Sequence, residues 1–464
     1  MKHPQGHVFY RSMAHDYPII ERGEGVYLYD TEGRCYLDAS GGPLVVNIGH
    51  GVKSVAEAIA AQAAKVAYVH GSLFTTAVLE AYSERLAAKV PLPAARFFYL
   101  SSGSEAMETA VKFARQLQLA RGEPHRDRII SRWGSYHGAT LGMLALSGKP
   151  SMRTPYAPMF QDMPHIEPPY CYRCPFGSNP TECDLACARQ LELEILRQGP
   201  ERVAAFVAEP VGGATLGAIM PPDGSWHAYW RLVRKICDRY GVMLIADEVL
   251  TGFGRTGAWF ASDIAAPLDH EGHPGVRVQP DVMALAKGAA GGYFPLSIVA
   301  VRGTDVETLR QVFGDFNHGG TFSHHAVGAA AALATMDYLE QHDLITRAAQ
   351  LGETLGKKLR ESLGDLPSVG DVRGIGMLWA VEFVADRTTK EPYPPGVHFA
   401  ARVCARCREM GVLLYPGHGS VDGVRGDHVM IAPPYVVTEE EIDRIVETLL
   451  QATRDQGQQA DVRP

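Results

Sequence analysis

Short apolar runs alternate with helical patterns over most of the chain. The runs are bounded by turn residues, as is typical of buried strands. They occupy residues 96–100, 128–131, 203–209, 242–248, 281–286 and 296–301. Stretches in which apolar residues recur at helical spacing lie between them, as at 104–122 and 226–241. This alternation predicts an α/β fold in which helices flank a mostly parallel sheet.

The two ends of the chain show different patterns. Residues 25–42, GVYLYDTEGRCYLDASGG, alternate strand-like pieces with a Glu-Gly turn and predict a small antiparallel meander. A helical pattern at 325–342 leads into a C-terminal region of mixed α and β character. Residues 154–187, rich in Pro and Cys, are expected to form an insertion rather than a linker between domains.

The composition is that of a globular protein, with 46% hydrophobic and 21% charged residues among 464. A net charge of -8 argues against non-specific binding to nucleic acids, which usually needs a basic face. No run approaches the roughly 18 apolar residues of a membrane-spanning helix, and the first residues lack the apolar core of a signal peptide. We therefore expect a cytoplasmic protein that binds neither nucleic acid nor membrane.

Eight cysteines in a chain of this length do not indicate a disulfide scaffold. Four of them lie close together in the Pro/Cys-rich insertion, at Cys171, Cys174, Cys183 and Cys187. The two close pairs have a zinc-like spacing, but three residues separate the second pair and the loop between the pairs is short. Reduced thiols or a disulfide-stapled insertion are therefore favoured over a structural metal. A catalytic zinc is disfavoured further because four thiolates leave no open coordination position.

Polar side chains follow five of the predicted strands at the point where each one ends. In chain order these positions are Ser101–Ser104, the loop that carries Tyr136, Glu209, Asp247 and Lys287. Open α/β sheets bind their ligands at the carboxyl ends of the strands. Any one of the five could be a helix cap or a solvated turn, but together they predict a functional site at this edge of the sheet.

The loop Ser102-Gly103-Ser104, just before a predicted helix, suits a phosphate group. Backbone N–H groups at a helix start are free, the helix dipole favours an anion, and Gly103 allows a close approach. The hydroxyls of Ser102 and Ser104 can add hydrogen bonds. Alone this signal is weak, because a serine before a helix is also an ordinary N-cap.

Lys287 and Asp247 add two reactive groups to the candidate site. Lys287 follows the apolar run 282–286 and precedes small residues that cannot pair with its charge. A lysine in a poorly solvated pocket loses its proton easily and becomes a nucleophile for carbonyl groups. Asp247 ends an apolar strand, where an ionised carboxylate needs a cationic partner or several donors. Pyridoxal phosphate combines the phosphate, aldehyde and basic aromatic nitrogen that these residues suit.

Six motifs resemble those of the class III (ω-type) pyridoxal-phosphate aminotransferases of fold type I. In chain order they are SSGSEAMETAVKFAR, YHGAT, AEPV, LIADEVLTGFGRTGAWFA, LAKG and HGGTFSHHAVGAAAA. The likeness covers nearly the whole chain and is strongest to the ω-amino acid/amine:pyruvate aminotransferases. It implies a large domain at residues 61–325 that holds a mostly parallel seven-stranded sheet. A small α+β domain would be built from both termini, residues 1–60 and 326–464.

The resemblance also implies catalytic roles for three residues. Lys287 would form a Schiff base with the cofactor and would then carry a proton between the substrate carbon and the cofactor. Asp247 would keep the pyridine nitrogen protonated so that the ring accepts electrons. Tyr136 would stack on the ring.

The cofactor's phosphate would be bound by Ser102, Gly103 and Ser104, with Thr321 contributed by the other subunit. Such a shared site implies a homodimer, or a tetramer built from dimers.

Three further residues would surround the ring. His137 would lie close to it, Glu209 would support the side that carries the ring hydroxyl, and Val249 would pack against the face opposite Tyr136.

The resemblance guides the choice of substrate at five positions. Relatives that resemble 4-aminobutyrate or ornithine aminotransferases carry a Glu and an Arg where this chain has Ala214 and Met430. Both differences indicate pyruvate rather than 2-oxoglutarate as the oxo acid. Arg425, before a Gly-Asp-His stretch, would be a mobile arginine that meets the substrate carboxylate, its alternative role being that of a solvated loop residue. Leu44 stands where several amine transaminases have a Trp, and Phe74 would be a wall of the substrate pocket.

The sequence therefore predicts a transaminase that moves an amino group from an amine or ω-amino acid to an oxo acid, with pyruvate favoured, by a ping-pong mechanism. An aminomutase, racemase or decarboxylase of the same fold would use the same lysine and aspartate, so the motifs leave these reactions open. A non-catalytic relative is poorly supported, because the lysine, the aspartate and the phosphate loop are all intact.

Overall fold

A computed structural model of the protein describes residues 6–13, 17–178, 183–221, 225–263 and 279–460. The strands are β1 (Ile20–Glu24), β2 (Tyr27–Asp30), β3 (Cys35–Asp38), β4 (Arg96–Leu100), β5 (Arg128–Arg132), β6 (His165–Ile166), β7 (Val203–Ala208), β8 (Met243–Asp247), β9 (Val282–Leu285), β10 (Ser297–Val301), β11 (Val369–Ile375), β12 (Leu378–Phe383), β13 (Val412–Leu413), β14 (Tyr415–His418) and β15 (Asp427–Ile431). The helices are α1 (Gly41–Leu44), α2 (Lys53–Lys65), α3 (Ala77–Ala87), α4 (Gly103–Ala120), α5 (Leu141–Leu146), α6 (Pro150–Arg153), α7 (Ala186–Gln198), α8 (Trp226–Tyr240), α9 (Gly303–Phe313), α10 (Ala326–Gln341), α11 (Leu344–Leu363), α12 (Phe399–Glu409) and α13 (Glu439–Ala460). Within the described ranges, no helix is both long and apolar enough to cross a lipid bilayer.

The central sheet has seven strands in the order β4-β10-β9-β8-β7-β5-β6. Neighbouring strands from β9 to β6 run parallel, whereas β10 pairs antiparallel with both β9 and β4. Every residue of β7, β8 and β9 is buried, as expected of strands whose two faces are both covered by helices. The prediction of an α/β fold with a mostly parallel seven-stranded sheet is confirmed.

Two smaller sheets are built from residues towards the ends of the chain. β1, β2 and β3 form the predicted antiparallel meander, and β13 pairs parallel with β3. The other sheet has the order β11-β12-β15-β14 and is antiparallel throughout. The pairing of β13 with β3 joins the two ends of the chain, which a small domain built from both termini requires. The domain boundaries themselves stay a prediction, and residues 1–5, 14–16, 179–182, 222–224, 264–278 and 461–464 of the predicted units lie outside the described residues.

The Pro/Cys-rich insertion packs on the antiparallel C-terminal sheet. Tyr170 Oη and Arg173 Nε donate hydrogen bonds to the carboxylate of Glu382 on β12, the second at 2.7 Å. Arg373 of β11 donates to the same carboxylate at 2.8 Å. Burial acts to raise the pKa of Glu382, but the charges of Arg373 and Arg173 hold that pKa below its usual value. A buried charge network therefore anchors the insertion.

All eight cysteines of the chain are free thiols in the structure. Burial raises the pKa of Cys171 to about 11 and that of Cys187 to about 12, so both are protonated near neutral pH. Among the residues that the structure describes, no group of three or more His, Cys, Asp or Glu side chains is placed to hold a metal ion.

Candidate active site

The carboxyl ends of β7, β8 and β9 bring together the side chains that the sequence singled out. β8 ends in Asp247, Glu209 directly follows β7, and the pairing of the two strands leaves these carboxylates on neighbouring strand ends. Lys287 follows β9, which pairs with β8 on its other side. The loop after β5 carries Tyr136, whose backbone N–H donates to Glu209 Oε1 at 2.8 Å.

Asp247 is held by a histidine partner. His137 Nδ1 lies 2.7 Å from Asp247 Oδ2, and the exposed fractions of the two residues are 2% and 4%. A carboxylate can only accept here, so the imidazole Nδ1 carries the proton. His137 Nε2 is buried and has no hydrogen-bond partner among the described residues. The sequence placed His137 near the site but gave no sign of this pairing.

Lys287 carries an amine that loses its proton easily. Burial lowers the pKa of Lys287 to about 8, although the charges of Asp247 and Glu209 act to raise it. Arg255, a buried cation, lowers it further. A substantial fraction of the amine is therefore neutral near physiological pH, as a nucleophile or a proton acceptor requires.

The turn at Lys287 is held by contacts from distant parts of the chain. Lys287 has a left-handed φ of 43°, which costs a non-glycine residue roughly 1 kcal/mol. Asn47 Nδ2 donates to the carbonyl oxygens of Gly288, at 3.0 Å, and Phe253, at 3.3 Å. A Cβ atom at Gly288 would lie 3.0 Å from Asn47 Nδ2, so a glycine is needed for this approach. Tyr435 N donates in turn to Asn47 O at 2.7 Å.

The start of α4 is built as an N-terminal capping box. Ser102 Oγ accepts a hydrogen bond from Glu105 N, and the Glu105 carboxylate accepts one from Ser102 N. The hydroxyl of Ser102 thus caps the helix, the alternative that the sequence left open. The first N–H groups of an α-helix have no intrahelical acceptor, so those of Gly103 and Ser104 are available to an anion. Ser104 Oγ also accepts a hydrogen bond from Ala139 N at 3.0 Å.

Val249 connects the helix start with the buried acid. A Cβ atom at Gly103 would lie 3.0 Å from Val249 Cγ1, so the two residues pack closely. Val249 N donates to Asp247 Oδ1 at 3.1 Å. This arrangement places an apolar side chain between the anion-binding helix start and the carboxylate.

Glu209 and Tyr136 form the side of the site that follows strands β7 and β5. Glu209 is 7% exposed, and its carboxylate accepts hydrogen bonds from the backbone N–H groups of Tyr136 and Gly213. Burial raises the pKa of Glu209 against these hydrogen bonds. Tyr136 is 38% exposed, so its ring is accessible to a ligand. A contact of Glu209 with the ring hydroxyl of a cofactor stays a prediction.

Two predicted site residues, Thr321 and Phe74, are exposed in the single subunit. Phe74 is 64% exposed, and Phe322, next to Thr321, is 60% exposed. No hydrogen bond or ring contact in the described part of the chain joins Thr321 or Phe74 to Lys287 or Asp247. The role of Thr321 was assigned across subunits, and both roles stay predictions.

The substrate-guiding positions Leu44, Ala214 and Met430 meet in one apolar cluster, which also holds Val211 and Ala218. The two positions where some relatives carry an acid and an arginine are therefore neighbours here, and their contact is apolar. Leu44 is 2% exposed and has a left-handed φ of 61°. Its side chain fills this cluster, and a contact with the substrate stays a prediction.

Arg425 is turned towards surface acids. It lies on the loop between β14 and β15, where its Nε donates to Asp422 Oδ2 at 2.7 Å and its Nη1 to Glu391 Oε1 at 3.3 Å. The side chain is 45% exposed. In this conformation Arg425 pairs with surface acids and not with groups of the site, so its movement towards a substrate carboxylate stays a prediction.

The site fits the chemical groups of pyridoxal phosphate. The start of α4 offers N–H groups to a phosphate, and a carboxylate fixed by His137 fits a protonated ring nitrogen. The amine of Lys287, with its lowered pKa, suits an aldehyde. Tyr136 and Val249 supply surfaces against which a flat ring can pack.

Comparison with known proteins identifies a matching family and solved structures that are similar to this chain. The family model described as aminotransferase class III matches residues 10–453. The chain is 36% identical over 443 residues to the putrescine–pyruvate aminotransferase of Pseudomonas aeruginosa, covering 94% of this chain and 90% of that protein. It is 35% identical over 446 residues to the diaminobutyrate–2-oxoglutarate transaminase of Halomonas elongata, again covering 94% and 90%. The solved ω-transaminase of Pseudomonas jessenii in complex with PMP has 33% identity and a TM-score of 0.87, covering 96% of this chain and 94% of that one.

The matched family, the fold and the fit of the site to pyridoxal phosphate agree with one another. The matched region spans nearly the whole chain and includes each strand end that carries a site residue. The chain therefore belongs to the class III aminotransferases, which are pyridoxal-phosphate-dependent enzymes of fold type I.

Proposed function

We propose that this enzyme moves an amino group from an amine or ω-amino acid to an oxo acid, with pyruvate as the acceptor, in two successive half-reactions at Lys287. The observation that carries the proposal is that Lys287 and Asp247 lie at the ends of neighbouring strands. Val249 contacts both Asp247 and Gly103, at the start of α4.

The residues of this chain have separate tasks in such a reaction. When bound, pyridoxal phosphate supplies an electrophilic carbonyl group and an electron-accepting ring. Lys287 Nζ, with its pKa of about 8, is suited to take a proton from a substrate carbon and to return it. Asp247, fixed by His137, keeps negative charge where a ring nitrogen is to stay protonated. Tyr136 holds one face of the ring.

Pyruvate is favoured because Ala214 and Met430 offer no charge to a second carboxylate. The distal carboxylate of 2-oxoglutarate would need a cationic partner, and the cluster around these two residues is apolar. The two curated relatives differ on this point, since one is named for pyruvate and the other for 2-oxoglutarate. The proposal therefore rests on the residues of this chain.

Arg425 is our candidate for the carboxylate of pyruvate. To reach it, the side chain must leave Asp422 and Glu391, both of which are solvent-exposed partners. Exposed ion pairs contribute only about 0–1 kcal/mol, so this movement costs little. The same movement back to the surface would admit an apolar amine, which carries no charge for Arg425 to meet.

We also propose a homodimer, or a tetramer built from dimers, in which Thr321 reaches the cofactor of the partner subunit. The support is the exposed apolar surface next to Thr321, where the rings of Phe322 and Tyr68, 60% and 44% exposed, have centroids 6.3 Å apart. Contiguous exposed apolar surface is typical of protein contacts. Sedimentation should give at least twice the chain mass of 50.4 kDa, and a catalytically active monomer would contradict the proposal.

The test of the transaminase function is the half-reaction with donor alone. The purified holoenzyme, mixed with an amine and no oxo acid, should convert its cofactor stoichiometrically to the pyridoxamine form, and pyruvate should restore it better than 2-oxoglutarate. Lys287→Ala should give a folded protein that binds the cofactor only non-covalently and shows no turnover. A racemase, aminomutase or decarboxylase would return the cofactor to its aldehyde form with donor alone. A preference for 2-oxoglutarate would contradict the argument from Ala214 and Met430.

A further inference from the structure

A cavity of about 360 Å³ lies beside the loop that carries Tyr136. Lys149, Thr215 and Ser420 are among the residues that line it. Backbone hydrogen bonds from Gly134 N to Gly148 O and from Gly148 N to Ser135 O, both 3.0 Å, hold the Lys149 turn against the Tyr136 loop. The volume lies within the usual range for small-molecule sites. The cavity is thus a neighbour of the reacting centre, large enough for part of a substrate.

Lys149 brings a positive charge that forms no ion pair with any of the described residues. In the described part of the chain, the charged groups that interact with Lys149 are all basic, namely Arg11, His418 and His428. Burial, and then the charge of Arg11, lower the pKa of Lys149. No carboxylate of the described residues forms an ion pair with its Nζ. A partly buried cation among other bases favours an anion as its ligand.

One of these charges, that of Arg11, also acts on Tyr136 at the reacting centre. Arg11 lowers the pKa of Tyr136 against the burial that raises it, and the pKa of His418 is lowered by burial and then by Lys149. The positive field therefore extends from the cavity to the exposed ring of Tyr136. An acidic group attached to a substrate that reacts there would be drawn towards Lys149.

Ser420 gives an independent indication of a polar ligand in this cavity. Its exposed fraction is 3%, and its Oγ has no hydrogen-bond partner among the described residues. Buried hydroxyls are usually satisfied, so an unpartnered one in a cavity wall needs an explanation. A carboxylate or sulfonate oxygen would accept the hydrogen bond that Ser420 can donate.

Two carboxylates also line the cavity, but neither neutralises Lys149. Asp422 is paired with Arg425, which lowers the pKa of Asp422 against the effect of burial. Burial alone raises the pKa of Glu167, which reduces its negative charge near the acidic end of the pH range. The cavity therefore keeps a net preference for an anion.

We propose that Lys149 and Ser420 bind the distal acidic group of an ω-amino acid donor while the amine of that donor reacts at Lys287. This inference rests on the proposed transaminase function and names its donor class. The acidic group is a carboxylate or a sulfonate on a short aliphatic chain. In this proposal Arg425 serves the carboxylate of the oxo acid, which binds in the other half-reaction.

The proposal also predicts which donors are poor. A diamine would bring a second ammonium group towards Lys149, Arg11 and His418, and like charges repel at short range. A monoamine of the same length would gain nothing from Lys149. The enzyme should therefore rank an ω-amino acid above a monoamine, and a monoamine above a diamine.

The experiment compares three donors with the same four-carbon chain, namely 4-aminobutyrate, butylamine and 1,4-diaminobutane. The half-reaction of the holoenzyme is followed by cofactor absorbance with no oxo acid present, so the acceptor does not contribute. The measured quantity is the ratio of kcat/KM for 4-aminobutyrate to that for butylamine. Lys149→Met should lower this ratio about tenfold or more, through KM rather than kcat. Lys149→Arg, which keeps the charge, should retain most of the ratio.

Two matched variants make the result specific. Lys357→Met removes the same charge from a side chain that is 74% exposed, and it should leave the ratio unchanged. Arg425→Met should lower the use of pyruvate but not the donor ratio. The inference is overturned if Lys149→Met leaves the donor ratio unchanged, or if 1,4-diaminobutane is a better donor than 4-aminobutyrate. If no donor converts the cofactor at all, the proposed function fails first, and that outcome is distinguishable from the others.

Discussion

His137 Nδ1 donates a 2.7 Å hydrogen bond to Asp247 Oδ2, and both side chains are almost fully buried. This pair fixes the orientation of the carboxylate that we expect to contact the ring nitrogen of the cofactor. A charge-neutral replacement of Asp247 keeps the shape of the site but removes the negative charge. Asp247→Asn should therefore lower kcat for the half-reaction by about a hundredfold or more, measured by stopped-flow absorbance of the holoenzyme.

We expect His137 to act through Asp247, so the effects of the two substitutions on kcat should not be additive. His137→Asn should lower kcat by itself, but in the Asp247→Asn background it should have little further effect. Equal losses from His137→Asn in both backgrounds would show that the histidine serves only the packing of the loop. The spectrum of the bound cofactor provides the second readout, because a displaced Asp247 alters the protonation of the ring nitrogen.

The lowered pKa of Lys287 predicts a pH dependence for cofactor capture. The folded protein holds a pKa of about 8 where a free lysine has 10.5, so between these values the folded state holds a neutral amine. Above pH 10.5 the amine is neutral in both the folded and the unfolded state. As the pH falls towards about 8 the unfolded state takes up the proton first, so this part of the free energy of unfolding is lost. The rate at which the apo-enzyme captures pyridoxal phosphate should therefore rise with pH around a midpoint near 8. A midpoint near that of a free lysine would contradict the buried environment of Nζ.

The contact of Gly103 with Val249 predicts an effect on cofactor affinity. In Gly103→Ala the new Cβ atom would lie 3.0 Å from Val249 Cγ1, so Val249 must move. Such overpacking typically costs about 1–3 kcal/mol, which corresponds to roughly tenfold weaker binding or more. Equilibrium dialysis of the apo-enzyme with pyridoxal phosphate measures the change.

A matched glycine and a compensating change serve as controls. Gly396→Ala adds the same methyl group where nothing lies within 4 Å, and it should leave cofactor affinity unchanged. Val249→Ala in the Gly103→Ala background should restore part of the affinity, since it removes the crowding methyl groups. Failure of this rescue would locate the effect of Gly103→Ala in the backbone rather than in the contact with Val249.

The contacts of Glu382 with Arg173 and Arg373 predict how much the attachment of the insertion contributes to the stability of the protein. Glu382→Gln would remove the buried negative charge that Arg373 and Arg173 face, and breaking a buried ion pair costs about 3–5 kcal/mol. We expect a lower midpoint of urea unfolding and faster proteolysis within the insertion. Glu361→Gln, which breaks an exposed pair with Lys357, is the matched control and should stay within about 0.5 kcal/mol.

The same carboxylate sets a pH limit on stability. Because Arg373 and Arg173 hold the pKa of Glu382 below its unfolded value, its contribution is complete above that unfolded value and lost as pH falls below it. Acid unfolding of the wild type should therefore be steeper than that of Glu382→Gln.

The strands of the central sheet could be predicted because burial on both faces leaves continuous apolar runs. Each of the six apolar runs coincides with one strand of the sheet, and the ends differ by no more than one residue. The seventh strand, β6, has two residues and leaves no such run. The antiparallel direction of β10 could not be predicted from the sequence, because a fully apolar strand shows the same pattern in either direction.

The candidate site was predictable as a set of residues but not as a set of contacts. Lys287, Asp247 and Glu209 could be located because polar residues at the ends of apolar strands are costly and therefore conspicuous. The pairing of His137 with Asp247 spans 110 positions, and that of Arg173 with Glu382 spans 209, so no local pattern records them. The capping role of Ser102, by contrast, was open to prediction, since a serine three residues before a glutamate is a capping-box pattern.

The support of the Lys287 turn by Asn47 and Tyr435 has a consequence for how the enzyme is made. Asn47 lies near the start of the chain and Tyr435 near its end, yet both are needed for the contacts that hold Gly288 and Phe253. A chain still being synthesised, with its last segment inside the ribosome, lacks one side of this support. The strained backbone at Lys287 is therefore secured only after residue 435 has left the ribosome. The amine of Lys287, with its lowered pKa, therefore reaches its final environment only when segments far apart in the chain have come together.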